Sequence, residues 1–104
     1  MIRKAFKMKV YPDKIDEYTK RHNPIWKELQ EVLKSNGVHH YSIFFDSETH
    51  LLFGYAELES EEQWNAIADT AICKKWWDYM ADLMETNSDN SPIAKDLKAV
   101  FYLP

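Results

Sequence analysis

The chain contains very little cysteine, glycine and proline. Its 104 residues include one Cys, two Gly and four Pro. The single cysteine, Cys73, cannot form a disulfide within the chain and has no second thiol with which to hold zinc. Two glycines are too few for a glycine-rich phosphate loop, and no low-complexity segment indicates disorder. We therefore expect an ordered chain that lacks the usual cofactor fingerprints.

Long apolar runs and basic clusters are also missing. No segment approaches the roughly 18 apolar residues of a membrane span, and the N-terminal residues are not followed by the apolar core of a signal peptide. The formal net charge is -4, and the 13 Lys and Arg residues are spread along the chain, which disfavours nucleic-acid binding. The length fits one domain, residues 1–104. We expect a cytoplasmic protein with neither a membrane nor a nucleic-acid partner.

Hydrophobic spacing divides the chain into six elements, because period-two alternation predicts strands and spacings of three and four predict helices. The predicted elements are a strand at 2–10, a helix at 13–33, strands at 38–46 and 51–58, a helix at 61–83 and a strand at 97–103. This order predicts an α+β, ferredoxin-like βαββαβ fold, with both helices on one face of an antiparallel sheet. The aromatic-rich strands predict that two copies pair through the other face as a dimeric alpha+beta barrel.

Both predicted helices contain a residue that favours a break. Pro24 lacks a backbone donor and disfavours helical angles at Asn23, so the first helix should break or kink just after His22. Thr70 divides the second helical region, which begins with a capping box at Ser60. Breaks of this kind free backbone carbonyls, and they are stable where something polar or wet lies nearby.

His22 is the strongest candidate for chemistry among the four histidines. His39 and His40 are adjacent on a predicted strand and point to opposite faces, so they cannot share a metal ion, and we expect no metal site. His22 lies on the apolar stripe beside Tyr18, one residue before the predicted break. It is either a core histidine satisfied by a hydrogen bond or a general acid-base group in a cavity, since its ordinary pKa of about 6.5 suits proton transfer near neutral pH.

Four aromatic side chains complete the predicted site. Trp76 and Trp77 are about 100 degrees apart on a helix, so Trp76 can join the core while Trp77 faces elsewhere. They either fill a core or dimer interface or offer indole faces and N–H donors to a sugar ring. Tyr18 and Tyr41 are either ordinary tyrosines at the edge of the core or hydroxyl donors that line a pocket.

Several segments together resemble the L-rhamnose mutarotase family, over essentially the whole chain. They are Tyr18-x-x-x-His22-Asn23-Pro24-Ile25-Trp26, Trp64-Asn65, Trp76-Trp77-x-Tyr79-Met80, Asn87-x-Asp89-Asn90-Ser91-Pro92 and Val100-Phe101-Tyr102-Leu103-Pro104. The resemblance implies a homodimeric ferredoxin-like isomerase without a cofactor. It implies His22 as proton donor, with Tyr18, Tyr41, Trp76 and Trp77 contacting the sugar. His40 and Phe44 depart from the residues associated with the family at these positions, which bears on fine substrate preference.

Such a site has the groups that mutarotation requires. The reaction opens a cyclic hemiacetal and recloses it on the other face of the aldehyde, so it moves one proton from the anomeric hydroxyl and delivers one to the ring oxygen. We hypothesise that His22 protonates the ring oxygen while water or Tyr18 assists at the anomeric hydroxyl, and the two roles could be reversed. The alternatives are a small alpha+beta barrel monooxygenase, or a related heme-handling enzyme, and a metabolite-binding domain without turnover.

Overall fold

The computed structural model describes residues 1–104 and contains four strands and four helices. In chain order these are β1 (Ile2–Lys9), α1 (Ile15–Arg21), α2 (Lys27–Ser35), β2 (Val38–Asp46), β3 (Leu51–Leu58), α3 (Glu61–Ile67), α4 (Ala71–Met80) and β4 (Lys95–Asp96). The strands form one antiparallel sheet in the order β2-β3-β1-β4. This arrangement confirms the α+β, ferredoxin-like prediction. None of the helices has the length and apolarity needed to cross a membrane.

The two predicted helix breaks are present. α1 ends at Arg21, His22 is its C-cap, and α2 begins only at Lys27, as expected from the proline at position 24. The second helical region divides at Thr70, whose hydroxyl accepts a hydrogen bond from the backbone N–H of Cys73 and so caps α4. Each long predicted helix is therefore two shorter ones, and each junction places a polar residue next to the core.

The β2–β3 hairpin has the predicted bounds, and Gly54 lies at its most crowded point. Gly54 pairs with Ile43 on one side and with Phe6 of β1 on the other. A Cβ atom at this position would lie 2.5 Å from two carbons of the Phe6 ring. The missing side chain thus lets the Phe6 ring lie directly against the sheet, which agrees with the close packing predicted for this glycine.

The core lies between the helices and one face of the sheet. Phe6 and Met8 of β1 and Leu52 of β3 belong to the same buried cluster as Leu29 of α2 and Met80 of α4. Because side chains alternate along a strand, the intervening residues of β1 and β3 lie on the other face of the sheet. The predicted alternation of β1 is correct, and all four helices are on the same side of the sheet as the buried cluster.

The prediction of a last strand at 97–103 is wrong. β4 comprises only Lys95 and Asp96, which pair with Lys7 and Phe6 of β1. The backbone N–H of Leu97 still donates to the carbonyl of Ala5, but the rest of the C-terminal segment forms no strand. An alternating pattern does not specify a hydrogen-bonding neighbour, and within one chain this segment has none after Leu97.

The C-terminal segment contacts the outer face of the sheet, which is the face opposite to the helices, through Tyr102. The Tyr102 ring packs under the guanidinium of Arg3, 3.3 Å from the ring centroid. Side chains alternate along a strand, so Arg3 and Ala5 of β1 point to one face of the sheet and Phe6 points to the other. Arg3 is therefore on the outer face. The aromatic side chain of Phe44, on the neighbouring part of the sheet, is 67% exposed.

Candidate active site

One cavity of about 640 Å³ lies between the sheet and the helices. Its volume is within the range of about 300–1,000 Å³ that is typical of small-molecule sites. All five residues predicted for the site line it, namely Tyr18, His22, Tyr41, Trp76 and Trp77. Residues from α1, β2 and α4 thus converge on one place, although they are far apart in the sequence. The cavity is mostly apolar, since 21 of its 27 lining residues are hydrophobic.

The His22 imidazole is fixed by three contacts. Its Nδ1 lies 2.8 Å from the backbone carbonyl oxygen of Tyr18. The ring stacks on the Tyr18 ring at a centroid distance of 4.4 Å and meets the Trp76 ring edge-on at 5.1 Å. A carbonyl oxygen can only accept, so Nδ1 carries a hydrogen, and Nε2 of the neutral ring is left with a lone pair. These contacts therefore hold the His22 ring in one orientation, and the ring still lines the cavity.

Burial determines which form of His22 is present at neutral pH. Desolvation lowers the pKa of His22 below its ordinary value of 6.5, and the hydrogen bond to the Tyr18 carbonyl offsets only part of that effect. A lowered pKa means that the neutral imidazole predominates at pH 7. In this state the side chain has one free ring nitrogen, Nε2, and that nitrogen is a proton acceptor.

The two tyrosines of the cavity are held in their protonated form. Burial raises the pKa of the Tyr18 phenol, and the neighbouring Tyr41 adds to the shift. Burial also raises the pKa of the Tyr41 phenol, with a further contribution from Cys73. Tyr18 is almost fully buried, whereas Tyr41 is 37% exposed. Both side chains therefore offer neutral hydroxyl groups rather than phenolates at any pH near neutrality.

The two adjacent tryptophans are buried to different extents, as their helical spacing predicted. Trp76 is 9% exposed and belongs to the main buried cluster, while Trp77 is only partly buried. Both nevertheless line the cavity. Trp76 also contacts Trp26 edge-on, with ring centroids 5.1 Å apart, so its plane is constrained from two sides. The indoles form flat apolar walls whose N–H groups are single donors.

Arg21 ties the end of α1 to the end of α4. Its Nε lies 2.8 Å from the Glu17 carboxylate, and its Nη1 donates to the Asp82 carboxylate at 2.9 Å and to the backbone carbonyl of Tyr79. The guanidinium also lies 4.4 Å from the centroid of the Tyr79 ring. The hydrogen bond from Arg21 lowers the pKa of Asp82. This cluster fixes the backbone immediately before His22.

Most of the other lining residues were given no site role from the sequence, and three of them bear on binding. Trp64 of α3 lines the cavity and packs against Tyr41, with ring centroids 5.6 Å apart. Asn90 and Ser91 line it from the loop that follows α4. Each of them lies within a segment that resembles the family, so the signal was present, but a motif alone does not say which of its side chains face a cavity. Groups of three or more His, Cys, Asp or Glu side chains that could hold a metal ion are not found.

The chain is similar to known proteins over its whole length. The family model described as L-rhamnose mutarotase matches residues 3–103. The L-rhamnose mutarotase of Pectobacterium carotovorum is 60% identical over 103 residues, which are 99% of this chain and 99% of that protein. The crystal structure of an L-rhamnose mutarotase from Formosa agariphila superposes with a TM-score of 0.92 at 44% identity and covers 100% of both chains.

More distant structures share the fold alone. A putative antibiotic biosynthesis monooxygenase from Nitrosomonas europaea superposes with a TM-score of 0.64 at 16% identity, covering 91% of this chain and 84% of that one. Such a low identity carries no information about the reaction. The full-length match to the family model and the 60% identity to a curated relative settle the membership: the chain belongs to the L-rhamnose mutarotase family.

Proposed function

We propose that this chain is an isomerase that interconverts the α and β anomers of L-rhamnopyranose by opening and reclosing the ring, with His22 as a proton-transfer group. Its similarity to L-rhamnose mutarotases over the whole length supports the reaction. The observation that carries the role of His22 is the contact between its Nδ1 and the Tyr18 carbonyl, which leaves Nε2 free at the cavity. The monooxygenase alternative has only fold-level support.

The tautomer favours one of the two roles considered for His22. A neutral imidazole with hydrogen on Nδ1 has a basic nitrogen at Nε2, so it can take the proton of the anomeric hydroxyl at once. To protonate the ring oxygen first, His22 would have to be an imidazolium, and the lowered pKa makes this form scarce at pH 7. We therefore assign His22 as the base in ring opening, the reverse of the hypothesis made from the sequence.

The proton for the ring oxygen then comes from a tyrosine hydroxyl, directly or through water. Tyr18 and Tyr41 line the cavity as neutral phenols, and Tyr18 is in contact with the imidazole. Because their pKa values are raised, neither releases a proton in a separate step, so donation is concerted with removal of the anomeric proton. The bond from C1 to the ring oxygen breaks as the carbonyl forms. After rotation about C1–C2, the tyrosine takes its proton back from the open-chain hydroxyl as that oxygen attacks C1, and His22 returns its proton to the carbonyl oxygen.

The test is the rate of exchange between α- and β-rhamnose, measured by NMR saturation transfer with and without the protein. Wild type should accelerate exchange, and His22→Gln should lose about 10²- to 10⁴-fold of that acceleration, the usual share of general acid-base catalysis. His39→Ala is the matched control, because His39 pairs with Glu59 at the surface. Rhamnose that binds without faster exchange would instead identify a binding domain.

The pH profile separates the two roles of His22. If the neutral imidazole is the active form, the enzyme-catalysed exchange rate should rise as pH increases through the His22 pKa, which lies below 6.5, and then level off. Rates at each pH are corrected for the uncatalysed reaction. A rate that falls over the same interval would assign the imidazolium as the active form and restore the original hypothesis.

We also infer that the chain acts in the cytoplasm as a homodimer and forms one domain over residues 1–104. The dimer is supported by apolar side chains without cover in one copy, since Val100 and Phe101 are 89% and 81% exposed. A net charge of -4 is consistent with a small-molecule partner rather than a nucleic acid. Sedimentation equilibrium of the purified chain tests the dimer: a single species of about 12.4 kDa, the mass of one chain, at micromolar concentration would contradict it.

A further inference from the structure

The loop that follows α4 is unusually polar for a wall of an apolar cavity. Asn90 and Ser91 both line the cavity. The loop is closed by its own hydrogen bonds: the backbone N–H of Asn87 donates to the carbonyl of Ser91 at 2.8 Å, and that of Asn90 donates to the carbonyl of Asn87 at 3.0 Å. The Asn87 side chain donates again to Ser91. The loop is therefore built to hold one conformation.

Asn90 is the residue of this loop whose side chain has a fixed direction and an amide oxygen that is free to accept a hydrogen bond. Its φ angle is +69°, in the left-handed region, which asparagine tolerates better than most residues. Its Nδ2 donates to the carboxylate of Asp78 at 3.0 Å. A carboxylate oxygen accepts hydrogen bonds, so this contact identifies which end of the amide is nitrogen. The amide oxygen of Asn90 is left as an acceptor without a partner in the chain.

Side-chain amide oxygens are scarce around the cavity. Among its lining residues only Asn23 and Asn90 carry one, and Asn23 is the more exposed of the two. The hydroxyls of Thr19 and Ser91 donate to the Ile15 carbonyl and to Asp89, and although both oxygens keep lone pairs, the Ser91 oxygen already accepts from Asn87. Every sugar hydroxyl that enters the cavity loses water and needs an acceptor for its hydrogen.

We propose that Asn90 is a further substrate-binding residue, whose amide oxygen accepts a hydrogen bond from a non-anomeric hydroxyl of the sugar, and that Asp78 positions it. The proposal rests on the proposed function, because it takes the ligand to be a pyranose. Asp78 directly follows Trp77 on α4, so one turn of that helix supplies an indole wall and anchors the acceptor beside it. Asn90 contributes to binding and orientation, whereas proton transfer stays with His22 and the tyrosines.

The test compares Asn90→Ala with wild type in the NMR exchange assay at several rhamnose concentrations. We expect KM to rise about 3- to 10-fold, the effect of one neutral hydrogen bond, with a smaller change in kcat. Ser88→Ala is the matched control, since Ser88 lies in the same loop, is exposed and does not line this cavity; it should behave as wild type. Asp78→Asn keeps an oxygen that can accept from Asn90 and should retain most of the affinity, whereas Asp78→Ala should lose part of it.

Deoxy sugars distinguish a contact with the substrate from a disturbed loop. One analogue of rhamnose that lacks the hydroxyl bound by Asn90 should bind wild type more weakly and show no further loss with Asn90→Ala. Asn87→Ala, which removes the bonds that close the loop, should weaken all the sugars by the same factor. If Asn90→Ala also weakened every analogue equally, or none, the proposal would be overturned. Failure of wild type to accelerate exchange would instead overturn the proposed function itself.

Discussion

Two sets of apolar side chains in this chain have very different surroundings. On the helix side of the sheet, Leu52 and Met80 are 1% and 2% exposed, and the cavity beside His22 lies next to this core. Along the C-terminal segment, Val100 and Phe101 are 89% and 81% exposed. The first set is completed by the chain itself, and the second is not. The cavity therefore depends on packing within one chain, while the exposed apolar side chains form a separate surface.

The strongest test of this comparison removes an aromatic side chain from the buried set on the helix side of the sheet. Trp76→Ala should lower the free energy of unfolding by about 3–5 kcal/mol, because a large buried ring leaves a void that the core cannot refill. It should also abolish accelerated exchange, since Trp76 is both a wall of the cavity and a neighbour of His22. Urea unfolding and the NMR exchange assay measure the two effects. Trp77→Ala is the partly buried control and should cost less stability.

A second test adds atoms where the sheet and the core are in closest contact. Gly54→Ala should cost about 1–3 kcal/mol, because its Cβ would lie 2.5 Å from the Phe6 ring, which is 4% exposed and cannot move without disturbing its neighbours. Thermal unfolding gives the change in stability. In the double variant with Phe6→Leu, which shortens the opposing side chain, the penalty of the added methyl group should be smaller. Additive penalties in that double variant would mean that the two side chains do not meet.

Arg21 tests whether the pocket side depends on polar contacts as well as on packing. Arg21→Ala should cost about 1–2 kcal/mol through lost charge-assisted hydrogen bonds, and it should reduce kcat more than it raises KM, because the turn that carries His22 loses its tie to α4. Arg21→Lys keeps the charge but not the paired donors and should fall between. The decisive measurement is the NMR shift of the His22 ring nitrogens, which should change in the Ala variant. Unchanged shifts with lower stability would limit Arg21 to a structural role.

Local patterns in the sequence predicted most of the fold. β2 and β3 have the predicted bounds because alternation and a polar turn are properties of neighbouring residues, and the break after His22 follows from Pro24 alone. The last strand was wrong because pairing needs a neighbour that the segment itself does not specify. The five predicted site residues meet at one cavity, but spacing alone left each of them a core alternative. The tautomer of His22 and the direction of Asn90 depend on contacts that only the folded chain defines.

The smallest effect on stability is expected for a substitution among the exposed apolar side chains of the C-terminal segment. Phe101→Ser should change the free energy of unfolding of a single chain by less than about 0.5 kcal/mol, since a side chain that is 81% exposed buries little when the chain folds. If a second copy covers this surface, the same substitution should weaken self-association by about tenfold or more, because it removes one buried aromatic contact. Sedimentation equilibrium over a range of concentrations measures this, with urea unfolding at high dilution as the control. A variant that associates as strongly as wild type would remove the C-terminal segment from the interface and leave the outer face of the sheet as the surface to examine.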